Sequence, residues 1–187
     1  MPTSKSTAKS TSSTHAKKPA GSHAHGHPKS DAAPDAIELL TQDHQEVKKL
    51  FKAYDKLVKA QASADDKQNL ANQICAMLTV HTTIEEELFY PAAREALSEQ
   101  DLLDEATVEH ASAKDLIAQI QSMSASDDLY DAKVTVLGEY IDHHVKEEET
   151  EMFPKVKRAK VDVAQLGDEM SARKDELSAE AADPSLH

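Results

Sequence analysis

A chain of 187 residues, 39% of them apolar and 29% charged, has material for one domain with a real core and no unbroken apolar run of membrane-spanning length. The formal net charge is −13, yet residues 1–30 carry five Lys and no acid, which leaves −18 on the remainder. So acidic a body disfavours nucleic acid and anionic membranes as partners, and a single cysteine, Cys75, excludes an internal disulfide and a thiolate-based zinc site.

In chain order, residues 1–34 are built from Ser, Thr, Lys, Ala, His and Pro, with too little apolar surface to offset ordering entropy, and are expected to be a disordered tail. No Val, Ile, Leu, Phe or Met occurs from Pro2 to Ala36, so no apolar signal-peptide core is legible and a cytoplasmic setting is expected. His23, His25 and His27, with His15, offer a weak nickel, copper or zinc site; incidental histidines in a polar tail are the plainer reading.

Pro34 opens a helical pattern in which Ile37, Leu40, His44, Val47, Phe51, Tyr54 and Val58 recur at three- and four-residue steps. After a polar break at Ser63–Asp66, Leu70, Ile74, Met77, His81, Ile84 and Leu88 form a second stripe, which Pro91 is expected to bend or end, with Ala92–Leu97 as a short continuation. A third stripe runs Leu103, Ala106, His110, Ala113, Ile117, Ile120. Beyond a loop at Ser122–Asp128, a fourth runs Val134, Leu137, Ile141, His144, Glu148, Met152 and closes at Pro154. Residues 35–155 thus predict an all-α, up-down-up-down four-helix bundle. In residues 156–187, Val163, Leu166, Met170 and Leu177 predict a further amphipathic helix, packed on the bundle or serving homo-oligomerisation.

A motif is written twice on these stripes. His44, then His81-Thr-Thr-Ile-Glu85, then Pro91 is repeated as His110, then His144-Val-Lys-Glu-Glu148, then Pro154. Positions i and i+4 share a helix face, so each half offers a lone His and a His–Glu pair. One histidine on an apolar stripe is ordinarily a hydrogen-bonded core residue. Four of them with two carboxylates on facing stripes would cost several kcal/mol each in desolvation without a cation, and are a ligand set for two metal ions. A helical bundle with fortuitous polar residues is the competing reading. Ferritin-type Glu-x-x-His, HExxH, phosphate-cradling Gly loops and GxSxG are absent.

The order H…HxxxE…H…HxxxE, with EEELFYP after His81 and EETEMFP after His144, resembles the hemerythrin-like (HHE cation-binding) family over residues 36–155. The resemblance implies a non-haem di-iron centre: His44 and His81 on one iron, His110 and His144 on the other, Glu85 and Glu148 bridging. Manganese and zinc suit the same donors, so iron rests on the resemblance. Oxygen-carrying members have a fifth His where Lys114 stands here, and their last carboxylate follows its His by five residues, the spacing of His143 to Glu148. His144 is preferred because it lies on the apolar stripe and matches His81; His143 falls on the Tyr140/Glu147 flank. Without the fifth His, a centre open to O2, peroxide or nitric oxide is expected over a simple carrier, and redox chemistry on small oxidants such as peroxide disproportionation fits it at least as well. Lys114 either reaches a bound peroxide or extends to solvent. A non-catalytic module that stores iron or senses oxygen or redox state is the alternative.

Overall fold

The computed structural model describes residues 33–182, which are helices and connecting turns with no strand among them. The expected disordered tail, apart from residues 33 and 34, and its histidines lie outside the described residues. Helix α1 (Ala36–Lys59) begins at a capping box. Asp35 Oδ1 accepts the Glu38 N–H at 2.9 Å, and the Glu38 carboxylate accepts the Asp35 N–H at 3.3 Å. Helix α2 (Ala64–Ile84) starts inside the predicted polar break: Ser63 Oγ accepts the Asp66 N–H at 3.1 Å, and Asp65 and Asp66 face the positive end of the helix dipole.

The two prolines do not end their helices. Between α2 and α3 (Tyr90–Ala96) lies a π-helical turn, Glu85–Phe89, and a second, Glu148–Met152, lies between α5 (Tyr130–Glu147) and α6 (Phe153–Arg158). Proline lacks an N–H and its ring clashes with the carbonyl four residues earlier. A turn widened by one residue relieves both, and the N–H groups of Tyr90 and Phe153 bond five residues back to the carbonyls of Glu85 and Glu148. Both repeats therefore place their carboxylate at the first position of a π turn.

Helix α1 packs on α2 and α5, and α4 (Asp101–Gln121) packs on the same two. Their interior is two apolar clusters. One includes Leu40, Ile84, Leu103, Phe89 and Phe153; the other includes Val47, Leu78, Ile117, Leu137 and Ile141. Along α1 and α4 the chain passes from the first cluster to the second, and along α2, and along α5 through its π turn into α6, from the second to the first. The histidine of each helix sits at or beside the crossing, so one polar layer divides the core. Cys75 is buried in the second cluster, where desolvation pushes its thiol up to about 11; it is an inert packing residue.

Helix α7 (Val163–Ala182) spends its stripe on its own chain. Leu166 and Met170 are buried with the first cluster, and Val163 and Leu177, partly buried, pack against it. Gly167 permits this docking: a Cβ there would lie 2.7 Å from the Ala36 nitrogen and 2.8 Å from the Asp35 carbonyl carbon, backbone atoms that cannot swing aside. Gly167→Ala is expected to cost about 1–3 kcal/mol, lowering the melting temperature by about 2–4 °C per kcal/mol. An unchanged melting curve would show that α7 is not held this closely.

Candidate metal centre

The four stripe histidines and two π-turn carboxylates converge in the polar layer. His44, His81, His110, His144, Glu85 and Glu148 are all at most 5% exposed. Each carboxylate reaches across the repeat. Glu85 Oε2 lies 3.2 Å from His81 Nε2 and 3.5 Å from His110 Nε2; Glu148 Oε2 lies 3.3 Å from His44 Nε2 and 3.5 Å from His144 Nε2. His44, His81, Glu85 and Glu148 form one donor group able to hold a cation, and Glu85, His110 and His144 form another, with Glu85 in both.

Behind this layer stands a second set of carboxylates that the sequence reading did not assign. His81 Nδ1 faces Asp43 Oδ2 at 3.4 Å, His110 Nδ1 faces Glu86 Oε1 at 3.0 Å, His144 Nδ1 faces Glu109 Oε2 at 2.8 Å, and His44 Nδ1 faces Glu149 Oε1 at 3.0 Å. Neighbouring residues on a helix point about 100° apart. The dipeptides Asp43-His44, Glu85-Glu86, Glu109-His110 and Glu148-Glu149 therefore each send one side chain inward and one toward the next helix. The result is a closed ring in which α1 supports the imidazole on α2, the turn after α2 that on α4, α4 that on α5, and the turn after α5 that on α1. With each Nδ1–H donating outward, each Nε2 is left as an inward lone pair, the tautomer a metal requires.

Lys114 ends one of these relays. Its ammonium pairs with Glu86 at 2.6 Å, so it neither points at a site for peroxide nor stands free in solvent. Lys174 of α7 does the same for Asp43. The equivalent of Lys114 in the first half, Lys48, pairs with Asp142 at 2.6 Å instead.

The inward face is under-satisfied. His44 Nε2, both oxygens of Glu85 and Glu148 Oε2 are buried without a hydrogen-bond partner. His110 Nε2 and His144 Nε2 lie 3.1 Å apart, two lone pairs facing one another. Burial, with Glu148 alongside, pushes Glu85 well above the usual carboxylate range. Burial acts the same way on Glu148, but His144, His44 and His81 outweigh it and hold it down at about 2. Burial lowers His81, and burial with His144 alongside takes His110 down to about 4, so both favour the neutral ligand form. Such a donor set fits divalent cations.

Two features break the two-fold pattern. Tyr90 donates to Glu148 Oε1 at 2.9 Å and lies 3.1 Å from His110 Nε2, whereas the matching Phe153 stacks on His44 at 5.8 Å between ring centres. His143 has no counterpart and is 61% exposed, 3.3 Å from Glu147 and 3.6 Å from Glu109. His144→Ala is accordingly expected to lose metal and His143→Ala to keep it, measured as bound metal per chain; the reverse pattern would overturn the preference for His144.

The sequence over residues 35–156 matches the hemerythrin HHE cation binding domain. The chain belongs to that family. Among solved structures, the hemerythrin HHE cation binding domain-containing protein of Mycobacterium kansasii, a homolog of Rv2633c, is similar, with a TM-score of 0.65 and 25% identity over 80% of this chain and 90% of that one. A protein of Nostoc sp. (strain PCC 7120 / SAG 25.82 / UTEX 2576) described as a DNA nickase is 30% identical over 122 residues, 64% of this chain. This hemerythrin-family chain spans only 33% of the nickase's length. Among its described residues, no helix is long and apolar enough to cross a membrane.

Proposed function

We propose that this hemerythrin-family protein holds two metal ions in an up-down-up-down bundle of α1, α2, α4 and α5, and that the pair reacts with small oxidants such as O2, peroxide or nitric oxide. His44 and His81 hold one ion, His110 and His144 the other, and Glu85 and Glu148 bridge. The opposite passage between apolar clusters on alternate helices supports the topology. The observation that carries the metal reading is the inward face, where four buried atoms have no partner. Iron is favoured by family membership, with manganese and zinc accepted by the same donors. A cytoplasmic setting belongs to the same proposal. The nickase description is not carried over, because the acidity beyond residue 30 opposes a phosphate backbone.

A redox-active ion pair would supply the electrons for an oxidant. The protein's own groups fix the rest. The outer carboxylates hold the imidazoles in one tautomer and orientation. The Tyr90 hydroxyl brings a proton donor to the Glu148 side of the layer. Phe89 and Phe153, packed edge-on at 5.5 Å, seal one side against water. Disproportionation of peroxide needs no outside reductant, since peroxide supplies both redox partners. Iron-loaded protein is expected to evolve oxygen from peroxide, and His81→Ala to abolish this. Full metal content with no oxygen evolution would favour the storing or sensing role.

A further inference from the structure

Of the five histidines in residues 35–155, His143 is the one outside the inward layer, and it does not stand alone. The sequence writes His-x-x-x-Glu twice in six residues, His143 to Glu147 and His144 to Glu148, one residue out of phase. One step along a helix turns a side chain by about 100°, so the second pair faces the core and the first faces the flank beside α4. The positions that match His143 and Glu147 in the first half are Val80 and Ile84, so the repeat does not demand this outer pair.

The outer pair meets a third donor from the neighbouring helix. His143 Nε2 lies 3.3 Å from Glu147 Oε1 and 3.6 Å from Glu109 Oε1 of α4. A tetrahedral ion with bonds of about 2.0–2.2 Å to nitrogen and oxygen sets its donors about 3.3–3.6 Å apart, the same spacing. All three donor atoms lie within 4.8 Å of one another. Glu109 is held in place for this: its Oε2 accepts from His144 Nδ1 at 2.8 Å, which leaves Oε1 facing His143. Among the described residues, both carboxylates pair with histidines only, with no Lys or Arg to neutralise them. An exposed ion pair with His143 holds such side chains weakly, whereas a divalent ion binds all three donors at once.

The cluster also stands over a way in. The cleft between α4 and α5 has Glu109, Tyr140 and His143 toward solvent and the buried His110 and His144 within. Glu109 belongs to both levels, with one oxygen toward the outer donors and the other on an inner histidine.

We propose that Glu109, His143 and Glu147 form a third cation site, which takes a divalent transition ion such as zinc, manganese or ferrous iron from solution and passes it through the α4–α5 cleft to His110 and His144. The site stands on its own three donors; the onward transfer rests on the two-metal function proposed above. With three protein ligands and its other positions open to water, the outer ion exchanges readily and is lost in metal-free buffer, so purified protein keeps only the inner pair.

Calorimetric titration of the full-length chain with zinc tests the site. Beyond the inner pair, the parent is expected to bind a further ion that His143→Ala and Glu147→Gln each weaken at least tenfold. Neither side chain is buried, so circular dichroism of both variants is expected to match the parent. The tail histidines are common to all three proteins and cancel in the comparison. Zinc is also expected to protect His143 from carbethoxylation by diethyl pyrocarbonate, mapped by mass spectrometry. Equal zinc binding in the parent and both variants, or no protection of His143, overturns the site. For the transfer, metal-free protein is mixed with limiting cobalt and the visible absorption of the inner pair is followed. His143→Ala is expected to fill that pair at least threefold more slowly, to the same end point. Equal rates overturn the transfer. No cobalt at the inner pair, with zinc still bound at His143, overturns the two-metal reading and the transfer with it, and leaves the outer site standing.

Discussion

Replacing Glu85 with methionine is expected to make the metal-free protein more stable while reducing bound metal to less than about one ion per chain. The two effects share one cause. Glu85 is fully buried and neither oxygen has a hydrogen-bond partner, so without a cation it is a pure desolvation cost. An apolar side chain of similar volume removes that cost, and replacements of buried charges of this kind stabilise by about 1–4 kcal/mol. The gain has a defined pH dependence. Burial raises the folded pKa of Glu85 above its ordinary 4.5, so the part of the penalty that comes from its charge is complete at pH above the folded value, shrinks as pH falls, and is gone below about 4.5, where the unfolded chain is protonated as well; the smaller cost of burying the neutral carboxyl remains. The advantage of Glu85→Met in metal-free protein should therefore be larger at pH 8 than at pH 5, read from paired denaturant melts. A variant less stable than the parent at both pH values, with both proteins metal-free, would mean that the carboxylate is satisfied in some other way.

The second large effect is expected one layer out. Asp43→Ala is predicted to weaken metal binding by about 10–100-fold, although Asp43 is not among the proposed ligands. Its carboxylate accepts from His81 Nδ1 and from the Lys174 ammonium, and it is itself buried at 4% exposure. Burial would raise its pKa, but the hydrogen bonds from His81 and Lys174 outweigh this and hold it below the ordinary value, so it stays an acceptor. Removal frees the His81 ring to turn and to change tautomer, and strands the lysine. Lys174→Ala should weaken binding less, because the acceptor survives, and Lys174→Arg should restore it. Competition titration against a chelator of known affinity measures all three. Equal affinity of Asp43→Ala and the parent would remove the outer ring from the account.

The six inward donors were legible in the sequence because they interrupt apolar stripes, and a stripe identifies which residues of a helix face the core. His144 was separable from His143 on that ground, and the structure buries the first and exposes the second. The outer carboxylates were not legible in the same way. Asp43 and Glu109 stand directly before their histidines, and Glu86 and Glu149 directly after their glutamates, so the signal was present in the repeat. What periodicity lacks is the identity of the helix lying about 100° around, and without it Asp43 reads as a solvated residue. Pro91, expected to bend or end its helix, and Pro154, expected to close its own, both stand just past a π turn, which accepts a proline where an α-helix in mid-run cannot, with a shift of one residue in phase. The stripe of α7 was visible, but its use within the chain depends on Gly167 approaching the start of α1, a tertiary contact with no local signature.

The central claim is that the polar layer dividing the core is a two-metal site, and elemental analysis of natively purified protein tests it most directly. The account predicts about two transition-metal ions per chain, both lost in a variant combining Glu85→Ala and Glu148→Ala that remains helical by circular dichroism. Fewer than about one ion per chain in the parent, after growth and purification with iron, manganese and zinc supplied and no chelator present, would contradict it.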